Sequence, residues 1–387
     1  MRSGASAKAV IAIGALLAVG TSCLVVWERQ TRRSYEYTVP KKTDDGWETA
    51  DRSTEGFDAG LIDELFERIT DHTYTNIHSV VLVRNDKLVV EEYFPGTHPV
   101  IGETLEREPD WEGTYQAFDR DTLHTLQSAT KSVNSILVGI AIDQELIRGV
   151  DEPIRMFFPE MTSDADIRLK HFLSMTAGLD WNETIPLSDP ANDCERMNKS
   201  ADPVAMLLRR RSVAPPGSTF VYNSAASVTL GEIVCKASGM PVDRFAKAHL
   251  FKPMGISNYA WRGRFPGGAV HTGGGLYLRP RDMAKIGCMM LNNGRWRGKQ
   301  IVSEQWVRES LKQQTPDRGY GYQWWMHTYK VGDRTVRSSW AGGYGGQFIF
   351  LFPDLHLVVV STGWNPDNGG QFMAMMERYI LPAARVD

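Results

Sequence analysis

A serine and a lysine stand three residues apart within residues 126–138, at Ser128 and Lys131. If a helix begins at Ser128, both side chains lie on one face of that helix. A serine hydroxyl is a good nucleophile only when a neighbouring base takes its proton, and a lysine that has lost its own proton can be that base. The pair therefore indicates nucleophilic catalysis. The alternative is an ordinary helix N-cap followed by an exposed lysine.

A second pair of polar residues, Tyr222 and Ser224, follows the turn-forming stretch of residues 215–219. Residues 228–234 have a helical pattern, so the pair stands at a helix entrance. A tyrosine next to a neutral lysine can relay a proton from the nucleophile to the leaving group. The alternative is a core tyrosine followed by a serine that caps the helix.

A third feature is the glycine-rich stretch of residues 339–347, which precedes the apolar run 348–352. Glycines allow the backbone at the edge of a strand to approach a ligand closely. A backbone N–H from this edge could join the Ser128 N–H in holding an oxyanion. A phosphate loop is excluded because no Gly-Lys-Ser/Thr follows. The alternative is a plain glycine hairpin.

The elements that must position these motifs combine strands at both ends of the chain with helices between them. We predict strands over 78–83, 88–94, 320–327, 347–352 and 357–362, and terminal helices over 60–71 and 372–380. The middle of the chain shows helical patterns and Gly/Pro-rich loops. This order predicts a sheet subdomain (58–127 and 316–383) that carries an inserted helical subdomain (128–315).

The N-terminal residues 1–33 differ from the rest, because an apolar run over 9–27 lies between basic residues. The run is about as long as the ~20 residues that cross a bilayer and longer than the ~7–15 residues of a signal-peptide core. We predict an uncleaved membrane anchor, with an inner membrane-anchored, extracytoplasmic main domain. The alternatives are a cleaved signal peptide and a lipoprotein modified at Cys23. Residues 34–57 are polar and patternless, which predicts a linker.

Composition and absent motifs exclude several classes of function. The 43 Lys and Arg against 46 Asp and Glu give a net charge of −3, which argues against a nucleic-acid partner. The soluble part has three cysteines, Cys194, Cys235 and Cys288, which permit at most one disulfide and show no Cys-x-x-Cys spacing. The nine histidines are scattered, with no His-Glu-x-x-His helix. We therefore expect neither a metal nor an organic cofactor.

The order and separation of the three motifs resemble the serine β-lactamase and penicillin-binding-protein superfamily, in its class C-like and esterase-like branch. The similarity covers about residues 58–383 and is supported by residues 168–179, 251–256 and 272–276. It implies an α+β, β-lactamase-like fold. In this fold an antiparallel sheet is flanked by the N- and C-terminal helices and carries an inserted, mostly helical domain.

The resemblance implies a role for each matching residue. Ser128 would be the acylated nucleophile, Lys131 its base and Tyr222 the proton relay, with Ser224 as the last position of the Tyr-x-Asn/Ser element. The third motif departs from the family. Trp340-Ala341-Gly342 stands where penicillin-recognising members have Lys-Thr-Gly or His-x-Gly, so the cation and hydroxyl that grip a carboxylate are missing.

The strand edge that follows this motif, Gly-Tyr-Gly-Gly-Gln, is similar to that of the 6-aminohexanoate-dimer hydrolase and esterase branch. By that alignment the oxyanion N–H belongs to Tyr344, with Gly343 as the alternative. His271 and the tryptophans Trp181, Trp324 and Trp325 are interpreted as structural. The alternatives are a histidine that lines the cleft and tryptophans that form substrate platforms.

We therefore expect a serine hydrolase that forms an acyl-enzyme on a small-molecule ester or linear amide. One alternative is a β-lactamase or D,D-peptidase. The alternative from another class is a catalytically silent, membrane-bound binding or scaffolding module.

Overall fold

The structure is a computed structural model that describes residues 35–315 and 317–385, and it contains fourteen strands in this part of the chain. In chain order these are β1 (Glu48–Thr49), β2 (Ile77–Arg84), β3 (Lys87–Tyr93), β4 (Gly96–Val100), β5 (Asp110–Gln116), β6 (His124–Thr125), β7 (Tyr259–Trp261), β8 (Leu276–Leu278), β9 (Arg295–Trp296), β10 (Lys299–Gln300), β11 (Trp325–Val331), β12 (Arg334–Gly343), β13 (Gln347–Phe352) and β14 (Leu357–Gly363).

Seven of these strands form one sheet, in the order β1-β3-β2-β14-β13-β12-β11. Each neighbouring pair is antiparallel except β1 with β3. The strands come from the two ends of the described chain, which confirms the predicted α+β architecture. Smaller sheets pair β4 with β5, β9 with β10, and β6 with β8 and β7.

Both faces of the large sheet are buried, and the residues of one strand alternate between two cores. On β14, Val358 and Val360 pack towards the inserted helices, whereas Leu357 and Val359 pack towards the terminal helices. Successive side chains of a strand point to opposite faces, so a strand between two helical layers is apolar at every position. This explains the unbroken apolar run of residues 348–352.

The helices flank this sheet on both sides. In chain order they are α1 (Ala59–Thr70), α2 (Ala129–Asp143), α3 (Leu169–Leu173), α4 (Asp193–Asn198), α5 (Pro203–Leu208), α6 (Ser224–Ser238), α7 (Val242–Ala246), α8 (Pro280–Leu291), α9 (Glu304–Ser310), α10 (Gly370–Met375) and α11 (Leu381–Ala383). Single 3-10 turns cover Ile154–Met156, Lys252–Met254 and Pro353–Leu355, and π-turns cover Lys247–Phe251 and Met376–Ile380.

Helix α2 is the central element of the inserted part, because residues 129–141 are all buried. It contacts α6 on one side and β12 of the sheet on the other. Gly139 permits close packing here, since a Cβ at this position would lie 2.4 Å from the ring of Trp306. Helix α2 is therefore packed between α6 and the large sheet along most of its length.

The interpretation of residues 35–57 as a linker needs correction. Trp47 is only 1% exposed, and β1 extends the sheet by pairing with β3. Asp45 forms an ion pair of 2.8 Å with the buried Arg281 of α8. A single tryptophan and a few charged side chains thus fix a segment that is polar in composition.

One further expectation differs in extent from the structure, and another lies outside the residues that the structure describes. The strand expected over 320–327 begins only at Trp325, after an irregular segment. The predicted membrane anchor, residues 1–33, lies outside the described residues. Within residues 35–315 and 317–385, no helix is both long enough and apolar enough to span a bilayer.

Candidate active site

Ser128 lies at a sharp strand-to-helix turn at the start of α2. The ladder between β6 and β8 continues to the Leu126 N–H, which donates to Leu276 O at 2.9 Å. Gln127 then adopts a left-handed conformation (φ 45°), a region that is costly for a non-glycine residue. The Ser128 side chain makes no capping bond to the helix. Its hydroxyl is therefore available for another partner.

That partner is the amine of Lys131, one helical turn further on. Lys131 Nζ lies 2.8 Å from Ser128 Oγ and 2.7 Å from the carbonyl oxygen of Gly273. The side chain is only 2% exposed, and no carboxylate of the described residues pairs with it. The alternative of an N-cap followed by an exposed lysine does not fit this geometry.

Tyr222 comes to the same place from the loop before α6. Lys131 Nζ lies 5.1 Å from the centroid of the Tyr222 ring, and the phenol forms no hydrogen bond with any described residue. The ring stacks on Trp325 at 5.9 Å, and Trp325 stacks on Trp340 at 5.5 Å. A column of three aromatic rings thus sets the orientation of Tyr222 relative to the sheet.

Ser224, the first residue of α6, is held by a carboxylate that the sequence did not indicate. Its N–H and its hydroxyl both donate to Glu183, each at 2.8 Å. The Trp181 indole N–H donates to the same carboxylate at 2.7 Å. Three donors therefore fix Glu183. Through Ser224, Glu183 fixes the turn that carries Tyr222.

The glycine-rich end of β12 packs directly against the segment that leads to Ser128. A Cβ at Gly343 would lie 2.0 Å from the carbonyl oxygen of Leu126, so only glycine fits there. Tyr344 follows in the loop before β13 and lines the same cavity as Ser128. Neither the Ser128 N–H nor the Tyr344 N–H donates to a backbone or side-chain acceptor among the described residues.

These groups line one cavity of about 560 Å³. Its charged lining residues are Lys131, Glu183, Glu195 and Arg262. Its apolar walls include Ile101, Leu105, Trp111, Ile185 and Leu187. A larger cavity of about 720 Å³ lies elsewhere, beside Trp306, and contains none of the predicted site residues. The smaller cavity is therefore the candidate active site, because the predicted catalytic side chains line it.

Two other ionisable groups line the cavity in their neutral forms. Burial, together with the nearby Lys131, lowers the pKa of His271 to about 3. Burial raises the pKa of the Cys194 thiol to about 12, so this cysteine is not a competing nucleophile. His271 packs on Phe265 at 4.7 Å and lies beside Gly273, which fits the predicted structural role while also placing it at the cavity wall.

No group of three or more His, Cys, Asp or Glu side chains in the described part of the chain is arranged to hold a metal ion. Cys194, Cys235 and Cys288 are all free. The arrangement is therefore one of a hydroxyl, an amine, a phenol and two unpaired backbone N–H groups. These groups are suited to acyl transfer.

Five of the six residues that the sequence singled out, Ser128, Lys131, Tyr222, Ser224 and Tyr344, line one cavity, and the sixth, Gly343, packs against the segment that leads to Ser128. Sequence reasoning missed Glu183, whereas the stacking of Trp325 on Tyr222 fits the predicted structural role of this tryptophan. For the Gly273 carbonyl a signal existed, because the Thr-Gly-Gly-Gly run of residues 272–275 is visible in the sequence. No local signal marks Glu183, whose partner Ser224 is 41 positions away.

Comparison with known proteins gives the family to which the sequence is similar. The model of the Beta-lactamase family matches residues 61–380. The 6-aminohexanoate-dimer hydrolase of Paenarthrobacter ureafaciens is 27% identical over 275 residues, which cover 65% of this chain and 68% of that enzyme.

Solved structures share the fold. One from Bacillus anthracis, named "Putative 6-aminohexanoate-dimer hydrolase", gives a TM-score of 0.68 at 17% identity and covers 91% of both chains. A family VIII carboxylesterase gives a TM-score of 0.61 at 16% identity, covering 89% of this chain and all of that one (100%). Both confirm the predicted β-lactamase-like fold.

Proposed function

The chain belongs to the beta-lactamase family, and from this premise we propose that it is a serine hydrolase that cleaves an ester or a linear amide through an acyl-enzyme. The observation that carries the proposal is the 2.8 Å contact between Lys131 Nζ and Ser128 Oγ in a buried site. An amine at this distance can take the serine proton directly.

In the acylation step, Ser128 Oγ attacks the substrate carbonyl carbon while Lys131, as the neutral amine, takes the hydroxyl proton. The carbonyl π electrons move to oxygen, and the resulting oxyanion accepts hydrogen bonds from the Ser128 and Tyr344 N–H groups. The bond to the leaving group then breaks. Tyr222 gives its proton to the departing oxygen or nitrogen and recovers one from Lys131. The acyl group stays on Ser128 Oγ.

In the deacylation step, a water molecule replaces the leaving group. The Lys131–Tyr222 pair removes a proton from this water as it attacks the ester carbonyl of the acyl-enzyme. The second tetrahedral intermediate collapses, Ser128 regains its proton and the carboxylic acid leaves. The same groups therefore act in reverse order, and the protein returns to its starting state.

The substrate class is argued from the strand edge and the cavity walls. The edge carries Trp340-Ala341-Gly342 and provides no cation for the carboxylate of a penicillin. The apolar side chains of Ile101, Leu105 and Trp111 suit an aliphatic chain. The relatives named as a dimer hydrolase and a carboxylesterase act on substrates of the kind proposed.

Turnover of three substrate types tests this assignment. We expect nitrophenyl esters and short ω-amino-acid amides to be hydrolysed by the wild type and not by Ser128→Ala. The control is Ser212→Ala, which removes an exposed hydroxyl outside the cavity. Faster hydrolysis of a chromogenic cephalosporin would instead identify a β-lactamase. No turnover of any substrate would favour the silent binding module.

A further inference from the structure

The cavity that contains Ser128 also contains a second cation, Arg262. This residue follows β7, and its N–H donates to Gly275 O at 2.8 Å, next to the glycine run that holds Lys131. Its guanidinium lies 5.2 Å from the centroid of the Tyr277 ring, and the residue is half-buried in the cavity wall. Arg262 thus approaches the site from an element other than the glycine-rich edge.

Within residues 35–315 and 317–385, no carboxylate forms an ion pair with the guanidinium of Arg262. Its one hydrogen bond to a described residue is a long one, from Nη1 to Ile101 O at 3.5 Å. Its Nε–H is buried and has no hydrogen-bond partner in the described part of the chain. Nearby Arg264 and Arg279, by contrast, form ion pairs with Asp243 and Asp282 at 2.5 and 2.7 Å.

An arginine whose N–H donors lack partners at a cavity wall lowers the stability of the protein, unless a ligand accepts hydrogen bonds from those donors. A guanidinium has five N–H donors, and burying a charge without a partner costs free energy. Here the surroundings are apolar, because Ile101 and Leu105 line the cavity beside Arg262 and Gly263. A low-polarity environment strengthens attraction to an anion that enters it.

The carboxylates of the cavity do not neutralise this cation. Glu183 is bonded to Ser224 and Trp181, and neither Glu183 nor Glu195 forms an ion pair with Arg262. The free guanidinium is therefore a ready site for a group supplied by the substrate. A planar carboxylate matches the fork of donors that arginine presents.

We infer that Arg262 binds a carboxylate carried by the substrate away from the scissile bond, so that the preferred substrates are anionic esters or amides. This inference rests on the proposed function. It assigns carboxylate recognition to the residue after β7, in place of the cation that the glycine-rich edge lacks.

Matched pairs of substrates test the inference. In the first pair the acyl group changes, from the nitrophenyl ester of hexanoate to the mono-nitrophenyl ester of adipate. In the second pair the acyl group stays the same, and the leaving group of the ester changes from phenol to 4-hydroxybenzoate. We expect Arg262→Gln to lower kcat/KM for the anionic member of one pair by about tenfold or more and to leave the neutral members unchanged. Arg262→Lys should retain part of the preference for the anionic substrates over the neutral ones.

The control variant is Arg264→Gln, which removes a neighbouring arginine that does not line the cavity. Equal losses on neutral and anionic substrates, or no loss on either anionic member, would overturn the inference.

A binding measurement separates this inference from the proposed function. Calorimetry on Ser128→Ala with adipamate, the monoamide of adipate whose one carboxylate is distant from the amide carbonyl, needs no chemistry. We expect binding that weakens at least about tenfold when Arg262→Gln is added. If Ser128 proves not to be the nucleophile, this binding still tests Arg262. If esters are cleaved through Ser128 but the affinity for adipamate is the same with and without Arg262→Gln, the inference alone is wrong.

Discussion

Glu183 accepts both the N–H and the hydroxyl of Ser224, each at 2.8 Å, and so joins the loop at Trp181 to the entrance of α6. The turn that carries Tyr222 depends on this carboxylate for its position. Replacing Glu183 by glutamine removes the negative charge and turns one acceptor oxygen into a donor, so that the bond with the Ser224 hydroxyl must reverse its direction or be lost.

We expect Glu183→Gln to lower kcat by up to about a hundredfold, because small displacements of a catalytic group are costly. The melting temperature should change little. Asp180→Asn, which alters a more exposed carboxylate paired with Arg211, is the control. Steady-state kinetics on a nitrophenyl ester checks the prediction. A Glu183→Gln enzyme with wild-type kcat would show that the positioning is unnecessary.

If Lys131 acts as a base, a positive charge at this position is not enough for activity. Lys131→Arg keeps a cation but cannot accept the serine proton, since arginine stays protonated. We expect kcat/KM for esters to fall by roughly 10²–10⁴-fold in this variant. Lys170→Arg, on the surface beside Asp151, should have wild-type rates. Substantial activity in Lys131→Arg would indicate an electrostatic role instead.

Tyr222 as proton donor predicts a dependence on the leaving group. Nitrophenolate departs without a proton, whereas an amine must be protonated as it leaves. Tyr222→Phe should therefore reduce amide hydrolysis far more than nitrophenyl ester hydrolysis. The ring stack on Trp325 needs no hydroxyl and should persist. Equal losses of kcat/KM, which reports the acylation step, on both substrates would contradict the role of Tyr222 as the donor to the leaving group.

A buried cluster of three histidines predicts how stability depends on pH. His78 Nδ1 lies 2.8 Å from His124 Nε2, and the His98 and His124 rings are 4.4 Å apart. Burial lowers the pKa of His78 to about 3 and that of His98 to about 4, from 6.5. The unfolded chain therefore binds more protons than the folded one between about pH 4 and 6.5. The contribution of the neutral histidines to the free energy of unfolding is fully present above pH 6.5. It is lost as the pH decreases through this range.

Unfolding measured from pH 7.5 to 4.5 checks this dependence. We expect His98→Gln to remove its share of the slope, which is at most about 1.4 kcal/mol per pH unit for one histidine. His327→Gln, on the exposed side of β11, should keep the wild-type slope. An unchanged slope in His98→Gln would contradict the neutral, buried state of this histidine.

Much of the site could be predicted because its information is local or periodic. A spacing of three residues places Ser128 and Lys131 on one helix face wherever that helix lies. Alternating and continuous apolar runs located the strands, and glycines marked the edge at Gly343. Each of these signals depends only on a short stretch of chain.

What escaped prediction depends on contacts between distant segments. Glu183 and Arg262 have no distinctive neighbours in the sequence, and their roles arise only from what surrounds them in the folded chain. The segment before α1 was misjudged for a similar reason, since its polar composition hides the burial of Trp47 and the ion pair from Asp45 to Arg281. A composition rule cannot detect such single anchors.

Covalent labelling tests the central claim most directly. A fluorophosphonate reacts with a serine that is activated as a nucleophile, and the adduct can be located by mass spectrometry of proteolytic peptides. We predict one adduct per chain, on Ser128, and none on Ser128→Ala or, at the same probe concentration, on Lys131→Arg. An adduct on any other residue, or equal labelling of Ser128→Ala, would contradict the account.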